Sequence, residues 1–69
     1  MAGRTQALDF SLDIQEKLQE RGQCMSDEGA LRTALKETLP AYPGCAVSDV
    51  LTFSDGSIAT LTTGGFIIE

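Results

Sequence analysis

Histidine and tryptophan are absent from this chain of 69 residues, and cysteine occurs only twice. Histidine is the commonest general base near neutral pH, so the usual means of activating a nucleophile is missing. Two cysteines without histidine also cannot supply the four ligands of a typical zinc site within one chain. We therefore expect a protein that is not an enzyme and that holds no metal and no cofactor.

The two cysteines, Cys24 and Cys45, are too few to staple a secreted disulfide scaffold. Met1 is not followed by an apolar leader, and no apolar run approaches the roughly 20 residues that a membrane span needs. These features predict a cytoplasmic protein without membrane contact. Two alternatives stay open: a single Cys24–Cys45 disulfide, which spacing does not exclude, and an enzyme that uses Cys24 as its nucleophile.

Basic residues are scarce. The chain has five lysines and arginines against ten aspartates and glutamates, which gives a net charge of −5. Proteins bind nucleic acid through clustered lysine and arginine side chains, and here the basic residues are scattered. The composition predicts no direct nucleic-acid binding and favours a protein partner of basic character.

The first segment of the chain predicts an amphipathic helix over residues 9–21. Its apolar residues recur at helical spacing: Ala7, Phe10, Ile14 and Leu18. Strong helix formers follow, and Gly22 is well placed to end the helix. Apolar and polar residues also alternate between positions 7 and 14, so a short strand over residues 7–12 that leads into a shorter helix is the alternative.

A second amphipathic helix is predicted between Ser26 and Leu39. Ser26 is a good N-cap residue, and acidic residues follow it in the first turn. The apolar stripe of this helix consists of Leu31, Ala34, Leu35 and Leu39. Pro40 ends the helix, and a turn leads into the second half of the chain.

The second half, residues 46–69, predicts a three-stranded antiparallel meander. Asp55-Gly56 lies between two β-rich runs and is a strong hairpin signal. A two-residue turn at that point pairs Phe53 with Ile58 and Leu51 with Thr60. Gly64-Gly65 offers a second tight turn, which returns the last residues along the middle strand.

This register makes both faces of the predicted sheet apolar. One face collects Val50, Ala59, Leu61, Phe66 and Ile68. The other face collects Leu51, Phe53, Ile58 and Ile67. Two short helices cover only one face, so either the N-terminal segment wraps the second face, or the second set is the candidate interface for a partner or for a second copy of the chain.

A second candidate surface is acidic. On a helix that turns about 100° per residue, four carboxylates fall within a stripe roughly 60° wide. They are Asp9, Asp13, Glu16 and Glu20. The stripe predicts a contact surface for a basic protein.

The sequence thus predicts one α+β domain over residues 1–69, with two amphipathic helices packed on a three-stranded antiparallel meander. A fold this small leaves little room for a ligand pocket of about 300 Å³. The functional hypothesis is a small acidic regulator or inhibitor that binds a partner protein. Its narrower form is a phage or mobile-element inhibitor of a nucleic-acid-handling host complex. The alternative is a structural homodimer or accessory subunit whose sheet the partner completes.

Overall fold

The computed structural model describes residues 4–69 and has an α+β fold, which confirms the predicted class. Its elements are α1 (Gln6–Glu20), α2 (Glu28–Thr38), a 3₁₀ turn (Leu39–Ala41), β1 (Ala46–Val47), β2 (Leu51–Thr52), β3 (Ile58–Thr62) and β4 (Gly65–Ile68). The strands form one antiparallel sheet in the order β1-β2-β3-β4. The sheet has four strands rather than three, because the two-residue strand β1 is too short to leave a periodic pattern. Residues 1–3, which the predicted domain includes, lie outside the described residues.

The first segment is a helix and not the alternative strand. It begins at Gln6, before the predicted start at Asp9, and Thr5 is its N-cap residue. The Thr5 hydroxyl accepts a hydrogen bond from the Leu8 N–H at 3.1 Å. The second helix begins one residue later than predicted, because Asp27 caps it in place of Ser26.

The turn between β2 and β3 caps α1 from a distant part of the chain. The Asp55 carboxylate accepts a hydrogen bond from the Gln6 N–H at 2.8 Å, and the Ser57 hydroxyl accepts one from the Ala7 N–H at 3.0 Å. Asp55 also accepts hydrogen bonds from the hydroxyl and the N–H of Ser57. The first turn of a helix leaves four N–H groups without partners, so these contacts tie α1 to the hairpin.

Acid is expected to weaken this connection. The hydrogen bond from the Ser57 hydroxyl, followed by that from the Gln6 N–H, lowers the pKa of Asp55. A carboxylate with a lowered pKa stabilises the fold fully above its unfolded pKa of about 3.9, and this stabilisation is lost as the pH falls through the folded pKa. Between about pH 5 and pH 2, the melting temperature of the Asp55→Asn variant should therefore fall less than that of the wild type.

Thermal unfolding followed by circular dichroism measures this difference. The matched control is Asp49→Asn, which removes an exposed carboxylate from the β1–β2 turn. The pH profile of this variant gives the effect of removing one exposed negative charge. Parallel pH profiles for the wild type and Asp55→Asn would contradict the conclusion that protonation of Asp55 weakens the fold in acid.

The predicted register of the β2–β3 hairpin is wrong by one residue. Leu51 pairs with Ala59 and Thr52 with Ile58, whereas the sequence paired Leu51 with Thr60. The reason is the length of the turn, which has three residues, 54–56, instead of two. The Gly56 N–H donates to the Phe53 carbonyl at 2.9 Å, and Gly56 has a φ of +86°, as is typical of a three-residue hairpin loop.

The slip changes the faces of the sheet, because a shift of one residue turns a strand's side chains over. Leu51 and Phe53 are buried on the side that the helices cover. Ile58 and Ile67 lie on the opposite, open face, where Ile58 is half-buried and Ile67 is 53% exposed. The predicted apolar interface of these four residues therefore does not exist as one surface.

The β3–β4 hairpin keeps the predicted faces. Leu61 pairs with Phe66 and Ala59 with Ile68, so all four side chains point toward the helices. The turn is Thr63-Gly64 instead of Gly64-Gly65, because residues 62 and 65 form the last pair. That difference shifts the pairing by two residues, which does not change the face on which a side chain lies.

One hydrophobic core joins the helices to the sheet. Its buried members are Ala7, Phe10, Ile14, Leu18, Ala30, Leu31, Ala34, Leu51, Phe53 and Ala59. Phe10 lies at the centre of an aromatic cluster, with its ring centroid 5.1 Å from Tyr42, 5.4 Å from Phe53 and 5.9 Å from Phe66. Aromatic pairs at these separations add to the stabilisation that burial alone provides.

Candidate protein-binding surface

The four predicted acidic residues share one side of α1, away from the buried side of that helix. They are Asp9, Asp13, Glu16 and Glu20. Asp13 accepts a hydrogen bond from the Tyr42 hydroxyl at 2.6 Å, and Asp9 lies 3.9 Å from the Arg4 guanidinium. Burial, with the Asp13 contact second, raises the pKa of Tyr42 well above its usual value, so the hydroxyl keeps its proton. Two of the four carboxylates therefore have partners within the chain, and Glu16 and Glu20 are the exposed part of the stripe.

A different surface lies between α2 and the sheet. It consists of two concavities of about 460 and 150 Å³, and Leu61 lines both of them. The helical wall and the loop before it contribute Met25, Ser26, Glu28, Leu31 and Leu35. The strands and their turns contribute Val47, Ser48, Asp49, Val50, Leu51, Ala59, Leu61, Thr62, Thr63 and Phe66. We call this surface the α2–sheet trough.

The trough is open because α2 packs mainly on α1. Near the ends of the two helices, Arg21 forms a bidentate ion pair with Glu37, with N–O distances of 3.0 and 2.6 Å. Leu61 points toward the helices from β3 but remains 43% exposed, and Val47 at the edge of the sheet is 61% exposed. Large apolar side chains on the covered side of a sheet are usually buried, so this side is only partly covered.

The charged groups that line the trough are carboxylates. Glu28 and Asp49 belong to the walls, and no lysine or arginine does so among residues 4–69. Glu28 pairs with Arg32 at 2.6 Å, and both of these side chains are exposed. With a net charge of −5 over the chain, the trough offers an apolar floor in a negative environment.

The larger concavity of the trough, about 460 Å³, exceeds the roughly 300 Å³ for which this small fold was expected to leave little room. Its walls hold few groups that could carry out chemistry. The Ser26 hydroxyl lies 3.0 Å from the Cys24 sulfur, and this hydrogen bond lowers the pKa of the exposed Cys24 thiol. Burial raises the pKa of Cys45, and both thiols are free, so the alternative disulfide is not formed. Residues 4–69 contain no cluster of three side chains that could hold a metal ion.

Sequence patterns assigned only part of the strand wall of the trough to the covered face, and they placed Asp49, Leu51 and Thr62 on the other face. Leu61 and Phe66 were grouped correctly on one side of the sheet, but the two helices were expected to cover that side. The length of α2 is the signal that could have located the gap. Its 11 residues span only about 16 Å, and they pack on α1 as well as facing the sheet.

Comparison with other proteins adds no assignment: no family model, curated protein or solved structure matches this chain. Within residues 4–69, no helix has the length and apolar character needed to cross a bilayer. The surface itself is therefore the basis on which a function can be inferred.

Proposed function

We propose that this protein is a binding module without catalytic activity, and that it holds an apolar, positively charged segment of a partner protein in the α2–sheet trough. The observation that carries the proposal is the exposure of Leu61 on the side of the sheet that faces the helices. Contiguous apolar surface with a polar rim typically marks an interaction site. Regulation or inhibition of the partner is the role that suits such a module.

The occupant that fits best is an amphipathic helix. Such helices bind by laying their apolar side into a hydrophobic groove between secondary-structure elements. One wall of the trough is itself a helix about 16 Å long, which matches about three turns of a bound helix. Lysine or arginine residues at the edges of that helix would face the carboxylates of Glu28 and Asp49.

The acidic stripe on α1 supports a narrower form of the proposal. Glu16 and Glu20 are exposed and point away from the core, so they could contact a basic surface beyond the trough. An inhibitor of a nucleic-acid-handling complex, of the kind that phages and mobile elements use, would carry such a surface. This form requires contact at both places, whereas the general proposal requires only the trough.

Binding of a synthetic peptide tests the proposal. The probe is a fluorescein-labelled amphipathic helix of leucine and lysine, and its counterpart replaces every lysine by glutamate. Full burial of an exposed leucine is worth about 1.5–3 kcal/mol, and Leu61 is 43% exposed before binding, so Leu61→Gln should weaken binding of the lysine peptide by about 3- to 10-fold in fluorescence anisotropy. The matched control, Leu12→Gln, changes an exposed leucine on α1 and should leave the affinity unchanged.

Two results would contradict the proposal. One is equal binding of the lysine peptide by the wild type and by Leu61→Gln. The other is equal affinity of the wild type for the lysine and glutamate peptides. A loss of binding in the Glu16→Gln/Glu20→Gln double variant, together with normal binding by Leu61→Gln, would move the site to the acidic stripe.

A further inference from the structure

The outer edge of β4 has free backbone hydrogen-bonding groups. Ile58 and Glu69 exchange two hydrogen bonds, at 3.1 and 2.9 Å, and in an antiparallel ladder such pairs alternate with pairs that make none. By this alternation, Ile67 bonds to β3, whereas the N–H and C=O groups of Phe66 and Ile68 point outward. Within residues 4–69 these outward groups have no hydrogen-bond partner.

We propose that the β4 edge pairs with the β4 edge of a second copy of the chain, so that two sheets join into one. The site is independent of the α2–sheet trough. A two-fold axis at Ile67 places Phe66 of each copy opposite Ile68 of the other. Both residues direct their backbone groups outward, so the two copies can form four hydrogen bonds. The outer edge of β4 can therefore pair with an identical edge that runs antiparallel to it.

The position of α1 supports the same partner. α1 contacts β3 and β4 to a similar extent, so its axis lies above the space between them. Strands lie about 4.8 Å apart, and across the joined edge the two α1 axes would therefore be about 10 Å apart. Packed helices have interaxial distances of about 8–10 Å, so the two α1 helices would be in contact.

Exposed leucines lie where that contact would form. Lys17 and Arg21 are on the side of α1 that faces α2. Arg21 forms an ion pair with Glu37 of α2, and the positive charge of Lys17 helps to lower the pKa of Glu37. At about 100° per residue, Leu8 and Leu12 fall on the opposite side. Leu35 of α2 lines a concavity with Val47 and Leu51, so α2 lies toward β1 and β2, and the two leucines lie toward the β4 edge. Each is 37% exposed. Pairing of the edges would cover these leucines on one side of the joined sheet and bring the two Ile67 side chains together on the other.

Electrostatics gives this dimer a distinctive salt dependence. Each copy carries a net charge of −5, and Glu16 lies beside Leu12 on the helix surface. Added salt screens the repulsion between the copies and should strengthen the dimer. The same salt should weaken binding of a lysine peptide in the trough, so the two sites respond in opposite directions. The proposed contact joins two strands of four residues and two pairs of leucines, which is few residues for a stable interface, so we expect a dissociation constant of about 1–100 μM.

Sedimentation velocity of the full chain under reducing conditions tests the proposal. The protein concentrations extend from below to well above the expected dissociation constant. The wild type should change from monomer to dimer. Ile67→Lys places a charge at the joined edge and should raise the dissociation constant at least tenfold. The matched control, Thr52→Lys, puts the same charge on the same open face of the sheet but on β2, and should still dimerise. Circular dichroism verifies that both variants fold.

Amide hydrogen exchange of the wild type gives a second readout that needs no variant. As the protein concentration rises, exchange at the Phe66 and Ile68 N–H groups should slow, because the partner strand then binds them. A monomer at every concentration would overturn the proposal. A dimer whose Phe66 and Ile68 amides still exchange freely would also overturn it, since the copies would then meet at another surface.

Discussion

Replacing Phe10 by alanine should leave most of the protein unfolded in the absence of denaturant. Phe10 is fully buried and contacts three aromatic rings, which come from the turn after α2, the residue that follows β2 and strand β4. Removal of a buried phenylalanine side chain costs about 3–5 kcal/mol, and a core of this size rarely supplies more than about 3–5 kcal/mol in total. The variant therefore loses about as much free energy as the fold has.

Urea denaturation followed by circular dichroism measures this loss. The control is Leu8→Ala, which shortens a side chain on the same helix that is already 37% exposed. It should lower the free energy of unfolding by less than about 1 kcal/mol. A cooperative Phe10→Ala transition close to that of the wild type would show that the aromatic cluster is not the centre of the core.

Replacing Gly44 by alanine should also be strongly destabilising, by about 1–3 kcal/mol. A Cβ atom at Gly44 would lie 2.7 Å from the Cβ of Ser54 and 3.0 Å from its hydroxyl oxygen. Ser54 cannot easily move away, because its hydroxyl donates a hydrogen bond to the Gln6 side chain at 2.8 Å. The added methyl group therefore forces the β2–β3 turn away from the loop that precedes β1.

A double-mutant cycle measured by urea denaturation tests this account. Gly44→Ala should cost less in a Ser54→Gly background, because glycine at position 54 removes the atoms that clash. Gly29→Ala is a control that should change the free energy of unfolding in the opposite direction. Its new Cβ would approach the Asp27 carboxylate only to 3.7 Å, and alanine in α2 should stabilise the protein by up to about 1 kcal/mol. Equal costs of Gly44→Ala in the two backgrounds would contradict the clash.

Local patterns were sufficient to predict the class of the fold and both helices. The first segment is the instructive case, since its residues suit either a strand or a helix. Contacts distant in sequence helped to decide between them: Asp55 and Ser57 satisfy the first N–H groups of α1 from about 50 positions away. No local signal encodes such contacts, so neither the start of α1 nor the choice between helix and strand was certain from sequence alone.

The candidate surfaces were harder to predict than the fold. Asp55-Gly56 located the first hairpin correctly, but this pair does not determine the length of the turn. The turn has one residue more than predicted, so the side chains of β2 lie on the opposite faces of the sheet from those predicted. This is why Leu51 and Phe53 are core residues and not an interface. The α2–sheet trough depends on how far α2 leans toward α1, which is a property of packing that periodicity does not describe.

The measurement that tests the central claim most directly is a nuclear magnetic resonance titration of the isotope-labelled protein with the leucine–lysine peptide. The trough predicts saturable chemical-shift changes at Leu31, Val47 and Leu61, on both of its walls, with little change at Glu16 and Glu20. Changes confined to Glu16, Glu20 and their neighbours on α1 would contradict the claim. They would show that the protein meets basic partners through its acidic helix and not through the trough.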